Sequence, residues 1–364
     1  MNKFVILIAA ISFAAISYSQ DKLPAPAIST VWGESVTPEN VWSQYPRPMM
    51  TRQNWKNLNG EWDYAILPVG SSSPERYDGK ILVPFPVESS LSGVGKSVGD
   101  KNELWYRRTF TIPAEWKDCN INLNFGGVDW MADIWVNGVY MGKHKGAYSP
   151  FSLDITEAVA DGENRLEVRV FDPTDKGTQP RGKQVVNPDA AKPKGIWYTP
   201  VTGIWQTVWL EPVPVNSITA LKITPDVDKM RLYVAASVTG KGVIKVEVID
   251  GVNCVATASG VASGPVEVAM PEDTKLWSTE APHLYDLKIS LIEDGKTTDS
   301  VGSYAAMRKV GIKRGKDKVR RFTLNDSTIF HFGPLDQGWW PDGLYTQPSY
   351  DAMIYDIDKT KELG

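Results

Sequence analysis

The sequence predicts a mainly β protein made of two consecutive sandwiches, and three observations carry that expectation. Apolar and polar residues alternate with period two over most of the chain, turn dipeptides separate the alternating runs at short spacing, and only the stretch from Ser349 onward changes to a helical period. At 364 residues the chain also exceeds one ordinary domain, for which about 100 to 200 residues is usual.

The elements follow in order. In "ELWYRRTFTIP", Leu104, Tyr106, Phe110 and Ile112 share one face of a strand that ends at Pro113, with Trp105, Arg107, Thr109 and Thr111 on the other. "NINLNF" repeats the pattern with Ile121, Leu123 and Phe125, and "NRLEVRVFD" sets Leu166, Val168 and Val170 against Arg165, Glu167 and Arg169. "DWMADIWVNGVYMG" predicts a hairpin turning at Asn137-Gly138, where both residues tolerate positive φ. These runs predict an antiparallel sandwich or jelly roll over 37–212. "EPVPVNS", with Pro212 and Pro214, reads as a linker. The shorter rhythm of "RLYVAASV", "VIKVEVIDG", "YDLKISLIEDGK" with its Asp294-Gly295 turn, and "SYAAMRKVGI" predicts an immunoglobulin-like sandwich over 213–312. A small hairpin turning at Asn325-Asp326 follows, then a helix with Ser349 as N-cap, Asp351 in its first turn, Met353, Ile354 and Ile357 on its apolar face, and Lys359 and Lys361 near its end.

Composition narrows the partners. A net charge of −4 with scattered Lys and Arg gives no footprint for a phosphate backbone, so nucleic acid is not expected. Fourteen Trp and fourteen Tyr suit sugar rings, although large β cores also use them. The start "MNKFVILIAAISFAAISYSQ" has the layout of a secretory signal peptide over 1–19, cut after Ser19, with an apolar run too short to span a bilayer; a periplasmic or secreted protein without membrane insertion is expected. Cys119 and Cys254 fall in different predicted domains and are expected free and buried. With His144, His283 and His331 the only histidines, neither a catalytic thiol nor a metal site is expected, and no cofactor.

Several blocks together resemble one family. "LNGEWDYAI", "VPFPVESSLSGV", "LWYRRTFTIP", "VDWMADIWVNGVYMGKHKGAYSPFSLDIT", "GIWYTPVTGIWQTVWLEPVP", "LWSTEAPHLYDLKISL" and "GPLDQGWWPDGLYT" are similar, in order and spacing, to family 2 glycoside hydrolases, the β-galactosidase, β-glucuronidase and β-mannosidase group. The resemblance implies a galactose-binding-like jelly roll, an immunoglobulin-like sandwich and a (β/α)8 barrel, of which 313–364 would hold only the entry hairpin, a first strand at Ile329 to Phe332, a loop and a helix; a whole barrel takes about 250 residues. It further implies a retaining hydrolase of β-galactosidase type, whose two glutamates stand about 5 to 5.5 Å apart. In the family both glutamates lie on later barrel strands, so no catalytic residue is assigned in this chain and the chain itself is expected inactive. Glu88, Asp129, Asp133 and Asp154 read instead as solvated faces or Asx turns.

For sugar contact the resemblance implies Gln337, where relatives carry a histidine, and Asp336 beside it. Trp339 and Trp340 offer ring faces for a pyranose; alternatively Asp336 and Asp342 cap the loop and the tryptophans fill a barrel mouth. Trp197 occupies a position where relatives place a sugar-contacting aspartate, and an indole can stack and donate but not accept. Glu88 and Arg181 are further candidates, with surface charge as the alternative. The remaining readings are a non-catalytic carbohydrate-binding protein and a purely structural pair of sandwiches.

Overall fold

Between Lys56 and Val213 the alternation becomes two facing antiparallel sheets. A computed structural model describes residues 29–186 and 195–364; the predicted signal peptide lies outside these residues. One sheet has four strands, in the order Lys56–Asn57, Val208–Val213, Asn120–Phe125 and Phe151–Asp154. The other has six, in the order Gly79–Val83, Gly60–Pro68, Asn102–Thr111, Glu163–Phe171, Met131–Val136 and Val139–Lys145. Leu104, Tyr106, Leu123, Phe125, Leu166, Val168 and Val170 fill the space between them and are fully buried, each contributing about 1.5–3 kcal/mol through lost apolar exposure. The outward face is less solvated than the alternation implies: Trp105 stacks on Trp135 with ring centroids 5.5 Å apart, and the Arg169 guanidinium covers both. The predicted hairpin turns at Asn137 and Gly138, both at positive φ.

The second sandwich has seven antiparallel strands. Ile218–Asp226, Arg231–Val238 and Val266–Ala269 form one sheet; Asn253–Val261, Val243–Asp250, Tyr285–Glu293 and Lys296–Ala305 form the other. Leu232, Val234, Val246, Ile289 and Leu291 are central to its core. The fold is thus mainly β, a jelly roll followed by a second β-sandwich, as expected.

Four expectations need correction. Pro212 and Val213 are the buried end of strand Val208–Val213 rather than a linker; that strand pairs on one side as far as Val213 but on the other only through Trp209 and Leu210, which leaves a ladder position where proline's missing N–H costs nothing. Residues 329–332 are not a strand: beyond one backbone bond, from Ile329 N–H to Phe322 C=O at 3.0 Å, the segment joins no sheet among the described residues, and Phe330 and Phe332 are 86% and 81% exposed. Both cysteines are free, but Cys119 is half-buried and Cys254 exposed, because the latter lies on an edge strand of the second sandwich. Among the declined acids only Asp154 makes the expected Asx contact, accepting from Thr156 N–H at 3.0 Å; Glu88, Asp129 and Asp133 are interior, and Asp133 pairs with Arg169 at 2.8 Å.

The hairpin after the second sandwich turns at Asn325 and Asp326, and the helix spans Tyr350–Glu362 with the Ser349 hydroxyl accepting from Ala352 N–H at 3.1 Å. An unforeseen strap, residues 45–52, ties the sandwiches together. Arg52 forks onto Asp299 at 2.6 and 2.9 Å and donates to Ile218 C=O, while Glu211 of the jelly roll accepts from Arg47, from Trp209 Nε1 and from the Tyr45 hydroxyl. Met50 enters the second core, and Thr51 bridges Gly302.

Candidate functional site

Three loops meet at one end of the jelly roll: residues 172–186 after strand Glu163–Phe171, residues 195–202 before the short strand Gly203–Ile204, and the tail loop 333–348. Backbone bonds fix the first pair, since Tyr198 N–H donates to Lys183 C=O at 2.9 Å and Val185 N–H to Tyr198 C=O at 3.2 Å. Gly203 lets the second loop close: at φ +93°, a Cβ there would stand 2.0 Å from the Tyr106 hydroxyl, which accepts from Ile204 N–H. The tail loop is tied on by Thr346, whose hydroxyl lies 2.6 Å from Trp205 C=O and 3.1 Å from Pro84 C=O, and by buried Asp342, which accepts from Thr30 N–H and Thr30 Oγ1.

These ties put five of the seven predicted site residues on one rim. Gln337 Oε1 accepts from the Tyr198 hydroxyl at 3.2 Å, with Lys183 Nζ 3.5 Å away. Trp339 stacks on Tyr198 at 4.4 Å and meets Tyr345 edge-on at 4.5 Å. Trp197 is 41% exposed, and the Arg181 guanidinium lies 5.5 Å from its ring centre. Asp336 is exposed on the same loop, where one oxygen accepts from Gly338 N–H at 2.6 Å, the capping contact that was the alternative to sugar binding.

The other two are elsewhere. Trp340 is only 8% exposed, packed edge-on against Trp32 and closed by paired backbone bonds to Leu344, so its faces serve packing. Glu88 is only 4% exposed, so it is not a surface charge. Its Oε2 accepts from Thr202 N–H at 2.9 Å, and Oε1 has no partner among the described residues. Asp129 and Asp172 share this interior. Burial pushes the Glu88 carboxyl well above the usual carboxylate range, which the Thr202 bonds offset only in part. Burial likewise raises Asp129 and Asp172, and the neighbouring charge of Asp172 raises Asp129 further.

Lys183, Tyr198 and Tyr345 belong to the rim and were missed. Tyr345 lies inside the block "GPLDQGWWPDGLYT", and Tyr198 follows Trp197 directly, so adjacency to a candidate was the available signal. A groove of about 730 Å³ opens beside the rim, reached across Tyr148 and Trp205 and lined also by Trp42, Tyr45, Tyr350 and Met353; it contains none of the seven predicted residues. Among the described residues no group of His, Cys, Asp and Glu is arranged to hold a metal ion, and no helix is long and apolar enough to cross a membrane.

The fold has counterparts among known proteins. The chain is similar to the β-glucuronidase of Paenibacillus borealis, 27% identical over 308 residues that cover 79% of this chain and 50% of that protein. It is also similar to the β-galactosidase of Thermoanaerobacter pseudethanolicus, 28% identical over 57% of this chain and 28% of that protein. The chain thus spans half or less of the length of these curated relatives. Among solved structures, its fold is similar to that of the Ruminococcus gnavus β-glucuronidase, with a TM-score of 0.71 at 19% identity, covering 87% of this chain and 54% of the other. Residues 83–199 match the sugar binding domain of glycosyl hydrolases family 2 and residues 216–308 match a second domain of the same family; with more than half its length accounted for in this order, the chain belongs to glycosyl hydrolases family 2.

Proposed function

We propose that the chain is the N-terminal part of an exported, retaining β-glycosidase that hydrolyses β-galactosides or β-glucuronides, and that the rim of Trp197, Tyr198, Gln337 and Trp339 holds the sugar. The observation that carries this reading is the joining of Gln337 and Trp339 to Tyr198: a polar side chain and ring faces from two distant segments converge on one exposed edge. Pyranoses offer C–H faces to aromatic rings and hydroxyls to amides, and the rim supplies both. Arg181 and Lys183 add positive charge at the same edge, which suits a uronic acid carboxylate as well as neutral hydroxyls. The two glutamates that cleave the bond are assigned to barrel strands beyond Gly364, so residues 20–364 alone are expected not to hydrolyse an aryl β-galactoside or β-glucuronide. In the longer enzyme, Gln337→Ala is expected to lower kcat/KM on these substrates by about ten-fold, since one lost hydrogen-bonding group costs about 1–3 kcal/mol. An unchanged kcat/KM removes Gln337 from the site, and turnover by residues 20–364 at an ordinary enzymatic rate overturns the placement of the chemistry.

A further inference from the structure

The loop that carries Trp197 and Tyr198 is held from behind at two successive peptide units. Val201 N–H donates to Gln184 Oε1 at 2.6 Å, and Thr202 N–H donates to Glu88 Oε2 at 2.9 Å. The Thr202 hydroxyl donates to Asp172 Oδ2 at 3.0 Å, and Gln184 in turn partners Asp129. Glu88 is itself fixed: its turn is closed by Leu82 N–H to Ser92 C=O at 2.9 Å, by the Ser89 hydroxyl to Pro86 C=O at 2.8 Å, and by Ser92 N–H to Ser89 Oγ at 3.1 Å. No Lys or Arg pairs with Glu88 among the described residues, and its titratable neighbours are Asp172 and Tyr106. A rigid, enclosed acceptor aimed at one backbone N–H has a single evident use, which is to set where that peptide lies.

We propose that Glu88 is a positioning residue of the rim, fixing the 197–202 loop through Thr202 so that Trp197 and Tyr198 are held ready for the sugar. This rests on the reading of the rim as a glycoside site. It also reassigns Glu88, which acts through the loop rather than by touching the ligand.

Amide hydrogen exchange and binding of phenyl β-D-glucuronide and phenyl β-D-galactoside, followed by tryptophan fluorescence, test it on the 364-residue chain. Glu88→Ala is expected to speed exchange in 197–202 more than ten-fold, with strand Val208–Val213 unchanged, and to weaken binding of the bound glycoside at least ten-fold. Glu88→Gln, which keeps an uncharged acceptor of the same length, is expected to stay within about two-fold of wild type in both measurements. Glu88→Asp keeps the acid but withdraws it by one methylene, and it is expected to behave as Glu88→Ala; this variant also serves if the alanine chain does not fold. Unchanged exchange in 197–202 for Glu88→Asp, or binding as tight in that variant as in wild type, overturns the positioning role. Wild-type protein that binds neither glycoside overturns the glycoside reading beneath it, a failure told apart because exchange then still reports on the loop.

Discussion

Trp339 and Trp340 are neighbours in sequence with opposite surroundings. One stacks on Tyr198 at the rim, while the other is buried against Trp32. Nothing in "GWWPDG" separates them, because the deciding partner of Trp340 lies about three hundred residues earlier. Trp340→Ala is expected to cost about 3 kcal/mol or more in urea unfolding, as large buried rings do. Trp339→Ala is expected to cost much less and to weaken glycoside binding instead. Glu88 makes the same point for charge: a glutamate among turn residues reads as solvated, and only the packing of loop 195–202 over it makes it interior. That burial has a pH signature. A carboxyl raised above its ordinary value near 4.5 stabilises the fold fully below that value and loses its contribution as pH rises through the folded-state pKa. Wild-type stability is therefore expected to fall from pH 4.5 toward neutrality by more than that of Glu88→Gln, measured by urea titration at each pH. Equal slopes would mean that Glu88 does not titrate differently on folding.

Strands were the most legible elements. Alternation placed Leu104, Ile121, Leu123, Leu166 and Val168 correctly, and the dipeptides at Asn137-Gly138, Asp294-Gly295 and Asn325-Asp326 all form turns at positive φ, because the constraints involved act within a few residues. Helix Tyr350–Glu362 was equally legible from its cap. The strap was not, since "YPRPMMTR" has no periodicity and its role lies in distant partners. Arg52 is buried with its fork on Asp299, and removing one member of such a pair leaves an uncompensated interior charge. Arg52→Ala is expected to destabilise the chain by about 3–5 kcal/mol, and the double change Arg52→Met with Asp299→Leu by clearly less. If the double change proves the costlier, the ionic account of the strap is wrong.

At the scale of the molecule, Phe330, Phe332 and Leu335 form an exposed apolar run between the hairpin and the rim loop, and Ile354 and Ile357 remain exposed on the helix. Surfaces of this kind promote association. Phe330→Lys with Phe332→Lys is expected to raise the concentration at which residues 20–364 begin to self-associate, followed by light scattering, without shifting thermal unfolding by more than a few degrees. An unaltered onset would assign association to another surface.

The strap alters what counts as a separable unit. Residues 213–312 look like a cassette that could be excised and studied alone, yet a fragment cut there would lose Met50 from its core and leave Asp299 facing its interior without Arg52. The second sandwich is continuous in space but not in sequence, so it can be transplanted only together with a segment that precedes the first.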